Sequence, residues 1–170
     1  MKRLLFLLLL SPLAFAQNQW NLSVTGGHAS MSWHGEADLR ALNIELVRPL
    51  SPSTQIVFAL SPTSIEQPRS WFGDQYGDGS ESVHALGGSI LLRRRFGRVF
   101  YVEGGTGPMY AQKAVPASTS RFNFVSQGGA GVMLSRFMIG YRFQHISNGG
   151  YSPRNPGMNV SSVVFGVRVR

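Results

Sequence analysis

The sequence predicts an all-β protein, and more narrowly an eight-stranded antiparallel transmembrane β-barrel of a bacterial outer membrane. Two observations predict this fold. Stretches in which apolar and polar residues alternate with period two recur eight times, and the connections between them alternate between long and short. Outer-membrane barrels have short turns on one side of the membrane and longer loops on the other. A soluble β-sandwich is the alternative, but nothing in a sandwich requires its connections to alternate.

Composition excludes several other classes of protein. The chain has 170 residues, of which 14% are charged and none is cysteine, and its formal net charge is +8. Soluble domains are about 25% charged, and a chain without cysteine has no disulfide framework and no thiol chemistry. The positive charge suits an anionic surface, which in this setting is phosphorylated lipid rather than nucleic acid.

Residues 1–16 have the pattern of a secretory signal peptide. Lys2 and Arg3 give a positive start, Leu4–Leu10 is continuously apolar, and Ala14-Phe15-Ala16 is a small-x-small cleavage site. We therefore expect cleavage before Gln17, export, and a single barrel domain over residues 17–170. No later apolar run approaches the roughly 20 residues of a transmembrane helix, so any crossing of a membrane falls to strands.

The strands are predicted in order from the period-two pattern and from the turn residues between them. In the second, for example, Leu42, Ile44 and Leu46 share one face, while Asn43 and Glu45 share the other. The eight predicted strands are Gln19–Thr25, Leu39–Arg48, Thr54–Leu60, Val83–Arg94, Arg98–Tyr110, Arg121–Leu134, Phe137–Ile146 and Met158–Arg170. Long connections are expected over Gly26–Asp38, Ser61–Ser82, Ala111–Ser120 and Ser147–Gly157, and short ones over Pro49–Ser53, Arg95–Gly97 and Ser135–Arg136.

Four charged residues fall in the middle of predicted strands. A charge that faces lipid near the bilayer centre is costly. Glu45, Arg93, Glu103 and Arg142 are therefore expected to point into the barrel and to pair there. Eight strands close a barrel whose interior is just filled by side chains, so no open pore is expected. One usual barrel feature is missing, since the chain ends in Val169-Arg170 instead of an aromatic residue.

The seventh predicted strand carries the most informative polar residues. From Phe137 to Phe143 the odd-numbered residues are apolar or aromatic, and the same face then ends in His145 and Ser147. Two residues apart on a strand, these side chains lie on one side, with about 6.5 to 7 Å between their backbone positions. A histidine that accepts the proton of a serine hydroxyl is the base and nucleophile pair of acyl transfer. The alternative is a turn-rich strand end with no chemistry.

The eighth predicted strand brings a third polar group to this place. It returns antiparallel after the Ser147–Gly157 connection, and its apolar face begins with Asn159. Asn159 is therefore expected on the outward, lipid-facing side, close to His145. A hydrolase with such a site would act on a lipid ester without drawing the lipid into water.

The segment from His145 to Asn159 resembles the signature of the lipid A 3-O-deacylase family, PagL. That signature is His-x-Ser-Asn-x-Gly, a loop rich in Pro and Asn, and then Gly, a hydrophobic residue and an acidic residue. The residues in step with it are His145, Ser147, Asn148, Gly150, Asn155 and Gly157. The resemblance implies an outer-membrane barrel that removes the ester-linked acyl chain at the 3 position of lipid A, with no cofactor and no metal.

The resemblance also implies roles for individual residues. Ser147 would be the nucleophile and His145 the general base, and Asn148 and the backbone at Gly149 would form an oxyanion hole. Asn155 and Arg154 are further candidates for binding the oxyanion or the substrate. The sequence departs from the pattern at Asn159, where the family has an acidic residue. An amide oxygen can still orient the imidazole, but it cannot stabilise the imidazolium by charge.

The remaining candidates form weaker patterns. His28, His34 and His84 lie in or near predicted outer loops, without partners at metal-ligand spacing. Asp74, Asp78 and Glu81 could bridge a divalent cation to lipid phosphates, and Lys113, Arg121 and Arg154 could contact those phosphates directly. A homodimer, which would shield an outward-facing site, is left open. The rival function is that of a non-catalytic small barrel with a structural or adhesive role.

Overall fold

The structure is a computed structural model that describes residues 18–31, 35–68, 80–115, 120–152, 155 and 157–169. Its eight strands form one closed antiparallel barrel in chain order. The strands are β1 Gln19–Met31, β2 Gly35–Pro49, β3 Thr54–Pro68, β4 Ser80–Phe96, β5 Phe100–Val115, β6 Ser120–Leu134, β7 Phe137–Ser147 and β8 Met158–Arg168. β8 pairs with β1 to close the barrel, with Phe165 opposite Val24. The predicted fold is confirmed.

Several strands are longer than the sequence predicted, and the clean alternation of connection lengths was wrong. β1 reaches Met31 and β2 begins at Gly35, where a long connection was expected. β5 likewise extends to Val115. The long connections are those at 69–79 and 148–157. The physical reason is that ladder hydrogen bonds join backbone groups, so pairing continues after the outward side chains turn polar, as at His28 opposite Asp38.

Large apolar side chains lie on the outside of the barrel. On β1 the exposed residues Trp20, Leu22 and Val24 alternate with the buried Asn21 and Ser23. On the other strands, too, large apolar side chains are exposed. They include Leu42, Ile44, Leu86, Ile90, Leu92, Val102, Ile139, Phe143, Val163 and Phe165. A belt of this size would be unfavourable in water, because monomeric soluble proteins seldom expose large contiguous apolar patches. The belt is therefore a surface for lipid.

The barrel interior contains the predicted charge network. The guanidinium of Arg93 lies 3.0 Å from the carboxylate of Glu45 and 2.7 Å from that of Glu103. Arg142 lies 2.6 Å from Glu103 and 3.6 Å from Glu45. The side chains of all four are almost completely buried, and the expectation that they pair in the lumen is confirmed. The guanidinium of Arg93 also lies 5.1 Å from the ring centroid of Tyr101.

An apolar core fills the end of the barrel that bears the β7–β8 connection. It contains Ile146 of β7 and Met158 and Val160 of β8, packed with residues that include Leu39, Ile65, Val83 and Met109. These buried neighbours flank His145 and Asn159 along the chain and hold the two strands in place. The part of the chain that the structure describes contains no helix long and apolar enough to cross a membrane.

Some of the expectations lie outside the described residues. These are the signal peptide at residues 1–16, His34, the acidic positions Asp74 and Asp78, and Arg154. They remain predictions. Glu81, the third member of the proposed cation site, falls in β4.

Candidate active site

The odd-numbered residues of β7 and β8 face outward, as predicted. On β7, Tyr141 and Phe143 are exposed and Arg142 and Ile146 are buried, and this alternation carries His145 and Ser147 to the outer face. On β8, Asn159 is exposed between the buried Met158 and Val160. His145 and Asn159 are register partners in the β7–β8 ladder. The three residues predicted to share a face are therefore together on it.

A hydrogen bond joins His145 to Asn159. The Nδ1 atom of the imidazole is 2.8 Å from Oδ1 of the amide. Because an amide oxygen can only accept, Nδ1 carries the proton and donates it, and Nε2 of the neutral ring keeps its lone pair. Asn159 thus fixes the tautomer in which Nε2 can act as a base.

Gly157 supports the imidazole from the end of the β7–β8 connection. A Cβ atom at this position would lie 2.6 Å from Cε1 and 3.2 Å from Nε2 of His145, and the backbone has φ of +74°. Only glycine combines that backbone conformation with so close an approach. The sequence motif contained Gly157, but sequence reasoning gave it no role.

Ser147 is the last residue of β7 and lies opposite Phe124 of β6. Its side chain is half-buried and shares the outer face with His145. Among the described residues, no hydrogen bond joins the Ser147 hydroxyl to the imidazole. Catalytic hydrogen bonds are often long in the free enzyme and tighten when substrate binds. The observation that makes Ser147 and His145 a candidate pair is that both side chains lie on the same outer face of the barrel.

The loop after Ser147 is held by contacts of Asn148. Its backbone N–H donates to Oδ1 of Asn155 at 2.9 Å, and its Oδ1 accepts from the N–H of Gly150 at 2.8 Å. Asn148 is fully buried. The structure therefore does not bring the Asn148 side chain to the outer face. Asn155 and Gly149 are exposed, and Gly149 has φ of +65°.

Ser126 is a second serine beside His145 that sequence reasoning missed. It lies directly opposite His145 on β6 and is exposed. Thr106 Oγ1 donates to the carbonyl of Val125 at 3.0 Å and lies 3.3 Å from Ser126 Oγ. Either hydroxyl can be the donor in that pair, so Ser126 is a second candidate nucleophile beside His145. Only the β6–β7 register reveals this neighbour.

Other polar residues that the sequence analysis singled out lie on strands other than β7 and β8. His28 lies in β1, so the loop expected over Gly26–Asp38 was wrong there, whereas His84 lies in β4 within the predicted strand Val83–Arg94. The Nδ1 atom of His28 is 3.0 Å from Asp38. Arg121 donates to the carbonyl of Ala111, and its guanidinium lies 5.1 Å from the ring centroid of Tyr110. The described residues contain no group of three His, Cys, Asp or Glu side chains placed to hold a metal ion.

Two solved structures of small barrels resemble this one. The crystal structure of the outer membrane enzyme PagL aligns with a TM-score of 0.62 and 16% identity, covering 88% of this chain and 99% of that chain. The crystal structure of Ail, the attachment invasion locus protein of Yersinia pestis, aligns with a TM-score of 0.53 and 8% identity, covering 89% and 96%. At these identities the likeness shows the fold alone. No curated protein sequence matches the chain.

The sequence itself gives the family. A family model described as lipid A 3-O-deacylase (PagL) matches residues 11–168, which is nearly the whole chain. The match includes both halves of the site, at the end of β7 and the start of β8. The chain belongs to the lipid A 3-O-deacylase (PagL) family of lipid A deacylases.

Proposed function

We propose that this chain is a serine esterase that lies in the bacterial outer membrane and hydrolyses the ester-linked acyl chain at the 3 position of lipid A. Ser147 is the nucleophile, His145 the general base and acid, and Asn159 the residue that orients His145. The observation that carries the proposal is the His145–Asn159 hydrogen bond, which orients the imidazole on the face that also bears Ser147. That face is otherwise the apolar outer wall of the barrel.

The chemistry proceeds in two acyl-transfer steps. Ser147 Oγ attacks the carbonyl carbon of the ester while Nε2 of His145 takes the hydroxyl proton. The tetrahedral intermediate then expels the sugar oxygen, which receives that proton and leaves as an alcohol. Water next attacks the acyl-enzyme, again giving a proton to Nε2, and the fatty acid departs with Ser147 reprotonated. No metal or cofactor is needed in either step.

The oxyanion needs hydrogen-bond donors beside Ser147. The Gly149 N–H and the Nδ2 group of Asn155 are the candidates that the loop presents, because the Oδ1 atom of Asn155 is already fixed by the Asn148 N–H at 2.9 Å. The buried Asn148 side chain shapes the loop through Gly150. Arg154, a basic residue of the same connection, is proposed to contact a phosphate of lipid A.

An outward-facing site suits a substrate that never leaves the membrane. Phe143 and Tyr141, directly below His145 on β7, are exposed and apolar enough to contact acyl chains. The hydroxyl of Tyr141 donates to Ser161 at 2.7 Å, so its polar end is satisfied without water. A signal peptide over residues 1–16 accounts for export, and the outer leaflet is where lipid A is found.

Mass spectrometry of lipid A from cells that express the chain tests this proposal. The wild-type barrel should remove one 3-hydroxyacyl mass from lipid A, and the Ser147→Ala variant should remove none. The Ser126→Ala variant is the matched control, since it deletes the other hydroxyl beside His145, and it should retain most of the activity. Lipid A that is identical with and without the wild-type barrel would favour a non-catalytic structural or adhesive role.

A further inference from the structure

A second polar site lies on the outer wall, away from Ser147 and His145. It is an open depression of about 660 Å³ across β1, β2, β3 and β4. Its outward-facing lining residues are Val24, Gly26, Arg40, Leu42, Ser64 and His84, and we refer to it as the β1–β4 depression. None of these residues belongs to the site on β7 and β8.

The polar members of the depression form one row around the barrel. Gly26 is opposite Arg40, Arg40 is opposite Ser64, and Ser64 is opposite His84. Because neighbouring strands are about 4.8 Å apart, the backbones of Arg40 and His84 are separated by about 10 Å, with the Ser64 hydroxyl between them. Two nitrogen donors and a hydroxyl thus face outward over a gap the size of a small anion.

The row lies where the apolar belt ends. On the outer face of β2, Leu46, Ile44 and Leu42 lead up to Arg40, and Asp38 follows. A cation on the lipid-facing wall costs about 2–4 kcal/mol at the bilayer midplane and much less at the interface. Arg40 is therefore at the depth where lipid headgroups lie, with an apolar surface below it for acyl chains.

Arg40 has no acidic partner among the described residues. Two carboxylates share its outer face: that of Asp38 is 3.0 Å from Nδ1 of His28, and Glu66 lies opposite Asp38 on β3. Arg40 is exposed, and Gly26 beside it leaves open space where a Cβ atom would otherwise stand. An unpaired guanidinium over an apolar floor fits a ligand that carries both a negative headgroup and a hydrocarbon chain.

We propose that the β1–β4 depression binds a membrane lipid with a phosphate headgroup, held by Arg40 and His84 and seated on Leu42 and Val24. The lipid is bound in the depression, and hydrolysis is assigned to Ser147 and His145 alone. The inference rests on the proposed location of the barrel in a membrane and is independent of the proposed chemistry at Ser147.

Native mass spectrometry of the purified barrel tests the site, with phosphatidic acid as the probe and diacylglycerol, which has no phosphate, as the background lipid. The Ser147→Ala form serves as the parent, so that no hydrolysis confuses the result. Arg40→Gln should weaken phosphatidic acid binding about fivefold. Gly26→Leu, whose Cβ would have no atom within 4 Å, places a larger side chain in the depression and should weaken binding as well. Arg48→Gln is the matched control, an outward arginine at the other end of the same strand, and it should bind like the parent.

Three results would overturn the lipid site in the β1–β4 depression. Equal losses of binding in Arg40→Gln and Arg48→Gln would mean general attraction of the lipid to basic residues. No loss in Arg40→Gln would mean that the guanidinium does not hold the phosphate. Displacement of phosphatidic acid by excess inorganic phosphate would show a free-anion site. Lipid A deacylation is measured separately on the wild-type chain. A negative result for lipid binding therefore leaves the proposed esterase function intact, and a negative result for deacylation leaves the lipid site intact.

Discussion

The imidazole of His145 and the amide of Asn159 meet across the β7–β8 ladder, with Nδ1 2.8 Å from Oδ1. In the family signature an acidic residue occupies the position of Asn159. The amide reproduces the orienting part of that role, because it accepts the Nδ1 proton. It cannot reproduce the electrostatic part, since a neutral group gives little stabilisation to the imidazolium that forms as Ser147 attacks.

Replacing Asn159 with a carboxylate should therefore raise the rate of deacylation. A charge-assisted hydrogen bond is roughly twice as strong as a neutral one, and a gain of about 1.4 kcal/mol in the transition state is about tenfold in rate. We expect Asn159→Glu to raise kcat about tenfold, measured as fatty acid release from purified lipid A. Unchanged or lower turnover would show that charge at this position does not limit the rate.

Asn159→Leu separates orientation from charge. The leucine removes the acceptor, so the ring can adopt the wrong tautomer or turn away, and general base catalysis contributes about 10²–10⁴-fold. We expect a loss of at least about 100-fold in kcat with little change in folding, because Asn159 is exposed. A leucine variant as active as the wild type would contradict the assigned role of Asn159.

Gly157→Ala should reduce activity through the position of the imidazole. The added Cβ would lie 2.6 Å from Cε1 of His145, and a displacement of about 1 Å at a catalytic group can cost about 10²-fold. Gly97→Ala is the matched control, with a similar φ of +62° and no atoms near the new Cβ, in the turn between β4 and β5. The two variants carry a comparable backbone strain, so equal activity in both would rule out the proposed support of His145.

The charge network in the lumen should matter for stability more than for catalysis. Arg93 is completely buried and bridges Glu45 and Glu103. Removing one partner of a buried ion pair costs about 3–5 kcal/mol, because it leaves an uncompensated charge. We expect Arg93→Leu to lower the free energy of unfolding by that amount, measured by urea titration of the barrel in lipid vesicles with tryptophan fluorescence as the signal.

Arg94→Leu provides the comparison for the lumen prediction. Arg94 is the next residue of β4 but faces outward and is exposed. Its replacement should change the free energy of unfolding by less than about 1 kcal/mol, as is typical for exposed charges. Similar losses at the two positions would mean that burial of the network is not what stabilises the barrel.

Sequence periodicity could predict the outer face of the site because one physical rule governs all of β7 and β8. Side chains alternate along a strand, so the apolar run from Phe137 to Phe143 fixes the direction of His145 and Ser147. Because a charge that faces lipid is costly, the sequence also predicted that the side chains of Arg93 and Glu103 point into the barrel. These predictions needed no knowledge of which strands are neighbours.

The features that sequence reasoning missed depend on tertiary structure. The extension of β1 beyond Thr25 follows from pairing with β2, not from its own side chains. Ser126 reaches His145 only through the β6–β7 register, and the contact of Gly157 with the imidazole needs the path of the whole loop. The complete burial of Asn148 and its acceptance of a hydrogen bond from the Gly150 N–H likewise depend on the path of the loop.

The central claim, that His145 activates Ser147 on the outer face, is tested most directly by labelling the purified barrel with a fluorophosphonate. Such a reagent reacts with a serine whose proton is taken by a neighbouring base. Peptide mass spectrometry should place one adduct on Ser147, lost in His145→Ala and retained in Ser126→Ala. An adduct on Ser126, or labelling of Ser147 that persists without His145, would contradict the claim.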